Sequence, residues 1–188
     1  MKTPRPLSLR RERRWVRPAV IALAVMGVAA LTGFAWLGQR AASGYLHPRR
    51  MLPSSSPAAY GIDYQDVTLT TRDGVSLAAW YTPPQNGVVV LAAHGHASAR
   101  LADVHALFAS HGYGVLSWDF RAHGASGGDL TSLGYYEQRD VAAAFDYATA
   151  QPGVAHIAIW GQSMGATTAI LAAAEQPALE AVIADSAY

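Results

Sequence analysis

The stretch HIAIWGQSMGATTAILAAA, His156 to Ala174, decides the reading of this chain. HIAIW has the alternation of a short strand, and ATTAILAAA has the composition of a helix. Between them GQSMG, Gly161 to Gly165, fits the G-x-S-x-G pattern of a serine nucleophile held on a sharp strand-to-helix turn. A serine used in this way needs a histidine to take its proton. Only 23 residues follow Gly165, and none of them is a histidine.

The flanking sequence alternates regularly. DVTLTTRDGVSLAAWYTPP, from Asp66, predicts two strands joined by a turn at Arg72-Asp73-Gly74. VVVLAAHG, from Val88, is an unbroken apolar run ending in glycine, as expected of a strand buried on both faces. Leu101, Val104 and Phe108 share one helical face, with Gly112 as a stop. GVLSWDF predicts a further strand. Val141, Ala144, Phe145 and Ala148 form a second helical stripe that ends near Pro152. Met164 to Glu175 is the helix after the turn, and LEAVIADS, ending at Ser186, is a last strand. A hairpin followed by β-α-β-α-β-α-β implies an α/β fold with a largely parallel sheet flanked by helices.

Ligands of such a sheet bind at the carboxyl ends of its strands. Three unusual stretches fall there: HGH (His94 to His96), DFRAHGASGG (Asp119 to Gly128) and GQSMG. A stray G-x-S-x-G in a chain of this composition has odds of roughly one in ten. The three together, each after a predicted strand, are specific.

On these residues the domain resembles an α/β-hydrolase, in the branch with serine aminopeptidase-like, monoacylglycerol-lipase-like and Bem46-like proteins. The resemblance runs from about Tyr64 to Tyr188 and includes the DGVSLAAWYTPP hairpin, the HG loop, the DxRxHGxSGG loop and the elbow. It implies Ser163 as nucleophile, with Gly161 and Gly165 as the elbow glycines. The backbone N–H of Met164 would point at the developing oxyanion, and the second N–H would come from His96, which follows His94-Gly95 of the HG loop. Losing one such donor costs about 2.7–4 kcal/mol of transition-state stabilisation.

The other histidines read as structural. His94 belongs to the HG loop, and His123 to the loop that Asp119 and Arg121 stabilise. His105 and His111 lie on a helix, as solvated or structural residues. No His-Glu-x-x-His spacing marks a metal site, and no metal or cofactor is implied. GASGG lacks the Lys-Ser/Thr of a phosphate loop.

In this fold the triad runs Ser, Asp/Glu, His along the chain. Asp185 is a candidate acid, because some hydrolases place it after this strand. In the branch resembled here the acid usually follows the next strand. The expectation is therefore an incomplete hydrolase domain, without the C-terminal strands that carry acid and histidine. Its last strand would be an exposed apolar edge.

The N-terminal quarter has a different composition. Residues 1–50 carry ten Lys/Arg and one acid, whereas residues 51–188 carry four Arg and twelve acids, so the net charge of +1 does not describe a nucleic-acid binder. From Ala19 to Gly38 twenty residues carry no charge, at about 1.5 Å of rise each roughly the thickness of a bilayer core. Trp15 and Trp36 flank this run. Seven Lys/Arg precede it, so the positive-inside bias puts the N-terminus in the cytoplasm. The expected organisation is a basic cytoplasmic tail (1–18), a transmembrane helix (19–38), a Pro/Ser-rich linker (39–61) and an extracytoplasmic hydrolase domain (62–188). Ala41-Ala42-Ser43 is a weak candidate for signal cleavage. The absence of cysteine excludes a disulfide framework and a cysteine nucleophile.

The expected function is membrane-anchored hydrolysis of carboxylic esters or small amides and peptides through an acyl-enzyme, weak or absent without the histidine. The alternative is a non-catalytic, membrane-anchored binding protein of the same fold. The sequence carries no signal for oligomeric state.

Overall fold

The computed structural model of the protein describes residues 13–188. These fall into two units, which divide between Gly44 and Tyr45. In the first, helix α1 (Arg13–Leu46) begins, and its last two residues belong to the second unit. From Trp15 its side chains are exposed. Its most apolar 18-residue window has a mean hydropathy of 2.2, and the helix is long and apolar enough to cross a membrane; a signal sequence near an N-terminus meets the same description. The helix continues past Gly38 through AASGYL, Ala41 to Leu46, and ends two residues before Pro48. The basic residues of 1–12 lie outside the described chain.

In the second unit, residues 47–56 lead to a short 3-10 turn at Pro57–Tyr60. Strands β1 (Gln65–Thr70) and β2 (Ser76–Thr82) form the expected hairpin, closed by Gly74 at a φ of 82°. Then follow β3 (Val88–Ala93), α2 (Ala102–Ser110), β4 (Gly114–Trp118), α3 (Gln138–Thr149), β5 (His156–Gln162), α4 (Met164–Glu175) and β6 (Ala181–Asp185). The six strands lie in the order β1-β2-β4-β3-β5-β6. β1 and β2 pair antiparallel, as do β2 and β4, and the remaining pairs are parallel.

The unbroken apolar run of β3 lies with β4 at the centre of the sheet for a physical reason. A strand covered on both faces has no position where a polar side chain reaches water. On one face Leu91, Leu116, Trp118 and Ile159 pack under Val141 and Ala144 of α3 and Met164 and Ala169 of α4. On the other, Ala92, Val115 and Trp160 pack under Val104, Phe108 and Ala109 of α2. Each large side chain buried here contributes roughly 1.5–3 kcal/mol.

α2 departs from the expected stripe. Its fully buried face is Ala102, His105, Ala106 and Ala109, with Val104 and Phe108 only half-buried. His105 can turn inward because both ring nitrogens are satisfied. Thr82 Oγ1 already donates to Asp63 O and accepts from His105 Nε2–H (2.9 Å), so Nδ1 accepts from Ser117 Oγ–H (2.8 Å). β6 lies at the sheet edge and is exposed along its whole length, Val182 and Ile183 included.

Candidate active site

Parallel β3 and β5 deliver His94-Gly95-His96 and Gln162-Ser163-Met164 to the same end of the sheet, with Ala93 paired to Gly161. β5 then reverses into α4 with no spare residue. Ser163 is the N-cap, at φ 51° and ψ −115°, a conformation that costs a non-glycine residue about 1–3 kcal/mol. The turn is held from both sides, by Ser163 N–H donating to Asp185 O (2.8 Å) and Thr167 N–H donating to Ser163 O (3.0 Å).

The elbow glycines are set by close approach. A Cβ on Gly161 would lie 2.3 Å from Gly165 O, and one on Gly165 would lie 2.3 Å from Ala93 O and 2.6 Å from His94 O. The HG loop meets the elbow at Gly95, whose Cβ position is 3.5 Å from Ser163 Cβ. Ser163 is half-buried and Met164 fully buried. Among the described residues, neither the His96 N–H nor the Met164 N–H donates to a protein acceptor, and none hydrogen-bonds Ser163 Oγ. The helix N-terminus adds a partial positive charge at the same place.

The histidines around this point fix the loop. His94 Nε2 accepts from Phe120 N–H (3.0 Å), so its Nδ1–H donates to Gly95 O (2.6 Å). His123 Nε2 accepts from Ala97 N–H (3.1 Å), and its Nδ1–H donates to Arg121 O (2.8 Å). Both rings are therefore neutral single tautomers with no nitrogen to spare. Burial holds His94 at a pKa of about 3 and pushes His123 and His105 below the ordinary value, His105 to about 4. His96 is half-buried, and its Nε2–H donates to the carbonyl of Tyr45 (2.8 Å) instead of turning into the cleft.

The loop after β4 is braced by buried charge. Asp119 accepts from Arg100 N–H (2.7 Å) and Ala125 N–H (2.9 Å), while burial raises its pKa. Arg121 donates to Asp140 through Nε (2.9 Å) and Nη2 (2.7 Å), and to Asp73 through Nη1 (2.8 Å). The Arg121 guanidinium beside Asp73 outweighs burial and holds its carboxyl well below the usual range. A second loop reaches the elbow through Glu137. Burial opposes the charge of this carboxylate, yet Ser132 N–H, Ser132 Oγ–H, Thr131 Oγ–H and Gly134 N–H lower its pKa. Thr131 also lies 3.5 Å from Met164 Sδ.

Asp185 ends β6 opposite Gln162, with its carboxylate accepting from Ser186 Oγ (2.8 Å). The structure thus brings Gly95, His96, Gly161, Ser163, Met164, Gly165 and Asp185 to one end of the sheet and buries His94 beneath them. Asp73, Glu137, Asp140 and Tyr45 were not singled out in the sequence. Asp73 read as a turn residue at the start of the DGVSLAAWYTPP hairpin, and the other three belong to no motif.

The strand order, the strained serine and the HG loop are those of an α/β-hydrolase. A family model described as X-Pro dipeptidyl-peptidase (S15 family) matches residues 30–188, and the chain belongs to that family. It is 33% identical over 181 residues to an uncharacterized protein of Mycobacterium tuberculosis, covering 91% of this chain and 60% of that one. The uncharacterized protein YqkD of Bacillus subtilis is 37% identical over 121 residues, 61% of this chain and 35% of that one. Among solved structures, the Pyrococcus furiosus esterase Pf2001 superposes with a TM-score of 0.71 at 33% identity, over 76% of this chain and 56% of the esterase. Est1E from Butyrivibrio proteoclasticus, solved with ferulic acid, gives 0.57 at 27%, over 64% and 52%. The chain therefore spans about 60% or less of the length of these proteins.

Proposed function

We propose that this chain supplies the nucleophile and oxyanion hole of a membrane-anchored serine hydrolase acting on carboxylic esters or small amides and peptides. The observation that carries the reading is Ser163 itself, strained at a helix N-terminus beside two N–H groups that lack acceptors among the described residues. Ser163 Oγ would attack the acyl carbon as a general base takes its proton, the His96 and Met164 N–H groups would hold the oxyanion of the tetrahedral intermediate, and the leaving group would depart with that proton to give the acyl-enzyme. A binding protein would need neither the strained serine nor the free donors.

The base is not drawn from the buried histidines, since His94, His105 and His123 each have both nitrogens engaged. The chain order of the triad puts it beyond Ser163, where residues 164–188 hold no histidine. Residues 1–188 by themselves are accordingly expected to turn over little. Asp185 is the candidate acid within them. The Pf2001 and Est1E likenesses support esters, and the S15 family supports peptides. The HG loop, the DxRxHGxSGG loop and the opening hairpin favour the branch with serine aminopeptidase-like, monoacylglycerol-lipase-like and Bem46-like proteins.

The apolar helix and the seven preceding cations support a single-pass anchor, with the N-terminus cytoplasmic and the hydrolase domain outside. Purified native gene product should hydrolyse p-nitrophenyl acetate and take up a fluorophosphonate at Ser163. Turnover that survives Ser163→Ala would sink the reading. Intact mass of the native protein tests anchoring, because signal cleavage would remove the first forty or so residues.

A further inference from the structure

At the last two residues of α1 and just beyond it, four residues are fastened to the loops at the catalytic end of the sheet. Tyr45 O accepts from His96 Nε2–H, and the two rings lie 6.0 Å apart. Leu46 O accepts from Thr131 N–H (2.8 Å), and His47 Nδ1–H donates to Asp129 O (2.7 Å). Arg50 donates through both terminal nitrogens, to Ser126 O and to Gly128 O, and Pro48 between them is buried. A flexible linker makes no such set of bonds.

We propose that Tyr45–Arg50 is a strap that positions the oxyanion loop, acting through His96. The argument rests on the hydrolase reading above and is local to residues 94–97. Gly95 and Ala97 are each fixed from inside, by His94 and His123. Ala97 sits at a φ of 53°, which does not hold itself in place. His96 is the one residue of this stretch whose side chain is fixed from outside the HG and DxRxHG loops. Its ring lies between the Tyr45 carbonyl and the His123 ring, 5.6 Å away. With the ring held at both sides, the Cα–Cβ bond is fixed and so is the direction of the His96 N–H. The strap is in turn tied to 126–131, so it couples the two loops. His96 thus has two parts, a main-chain donor to substrate and a positioning side chain.

The test uses the native gene product with His96→Ala, His96→Gln and the pair His47→Ala/Arg50→Ala. A glutamine amide can donate to the Tyr45 carbonyl, and an alanine cannot. Amide hydrogen exchange at Ala97, whose N–H donates to His123 Nε2, should quicken at least about fivefold in His96→Ala and in the double variant. It should return toward wild type in His96→Gln, with the central strands unchanged throughout. Turnover of p-nitrophenyl acetate should follow, kcat falling about tenfold with KM within twofold and glutamine restoring most of it. Unchanged exchange in the double variant, or glutamine behaving as alanine does, overturns the strap. Absence of any Ser163-dependent turnover would overturn the hydrolase reading instead, and the exchange data would still decide the strap.

Discussion

Gly165 lies so close to Ala93 that a Cβ would come within 2.3 Å of the Ala93 carbonyl oxygen. The end of β3 and the first turn of α4 therefore touch backbone to backbone, which brings the HG loop against Ser163. Neither partner is a flexible side chain that can yield. Gly165→Ala should push α4 off the sheet and cost about 3 kcal/mol, the upper end of what overpacking a rigid core costs. Urea unfolding checks it, and a loss under 1 kcal/mol would mean that the helix can shift.

The strain at Ser163 predicts an unusual pair of variants. Ser163→Ala keeps a Cβ in the left-handed conformation, whereas Ser163→Gly relieves it. The glycine variant should be the more stable by about 1 kcal/mol, although both remove the hydroxyl. Melting temperatures of the two decide; equal values would show that the turn is not strained.

Acid should weaken the fold through its buried histidines. Their folded pKa values lie below the ordinary 6.5, at about 3 for His94 and about 4 for His105. Below about pH 6.5 the unfolded chain therefore takes protons that the folded chain refuses. Stability is complete above 6.5, falls as the pH drops toward 4, and for His105 levels off below that. His105 alone accounts for roughly 3 kcal/mol over this window. His105→Gln should flatten the slope of stability against pH between 6.5 and 4, whatever it does to stability at pH 7. A slope equal to wild type would assign the acid loss elsewhere.

Removing the Asp140 carboxylate should be costly even though Asp73 remains. Arg121 and Asp140 are both buried, and Asp140 alone also receives the Arg121 N–H (2.9 Å). Asp140→Ala leaves a buried guanidinium half-paired, at about 3 kcal/mol. The exposed pair Arg72–Asp146, 3.8 Å apart, should contribute little, and Asp146→Ala serves as the control. Similar losses in both would contradict the distinction.

Most of the sheet could be read from the chain because its signals are local. Val88 to Ala93 is apolar without interruption, Gly112 stops α2, and GQSMG separates β5 from α4 at Ser163. The pairing of β3 with both β4 and β5 follows from where such runs must be buried. The bonds that tie the loops together were not legible. Asp73 to Arg121 spans 48 residues, His96 to Tyr45 spans 51, and His105 meets Ser117 from another element. Each joins polar residues that fold into contact without leaving any periodicity, and a carbonyl partner such as Tyr45 O leaves no mark in sequence at all. For the same reason Tyr45 to Arg50 read as linker.

The position of the strap along the chain has a consequence for processing. Its first residue, Tyr45, stands two places after Ala41-Ala42-Ser43, so a peptidase acting there would cut beside it. The freed domain would keep Tyr45, Leu46, His47 and Arg50 as its new N-terminal end. If the apolar helix is an anchor, such a cut would free the domain without loosening Tyr45–Arg50, and the proposed oxyanion loop would be braced alike in both forms.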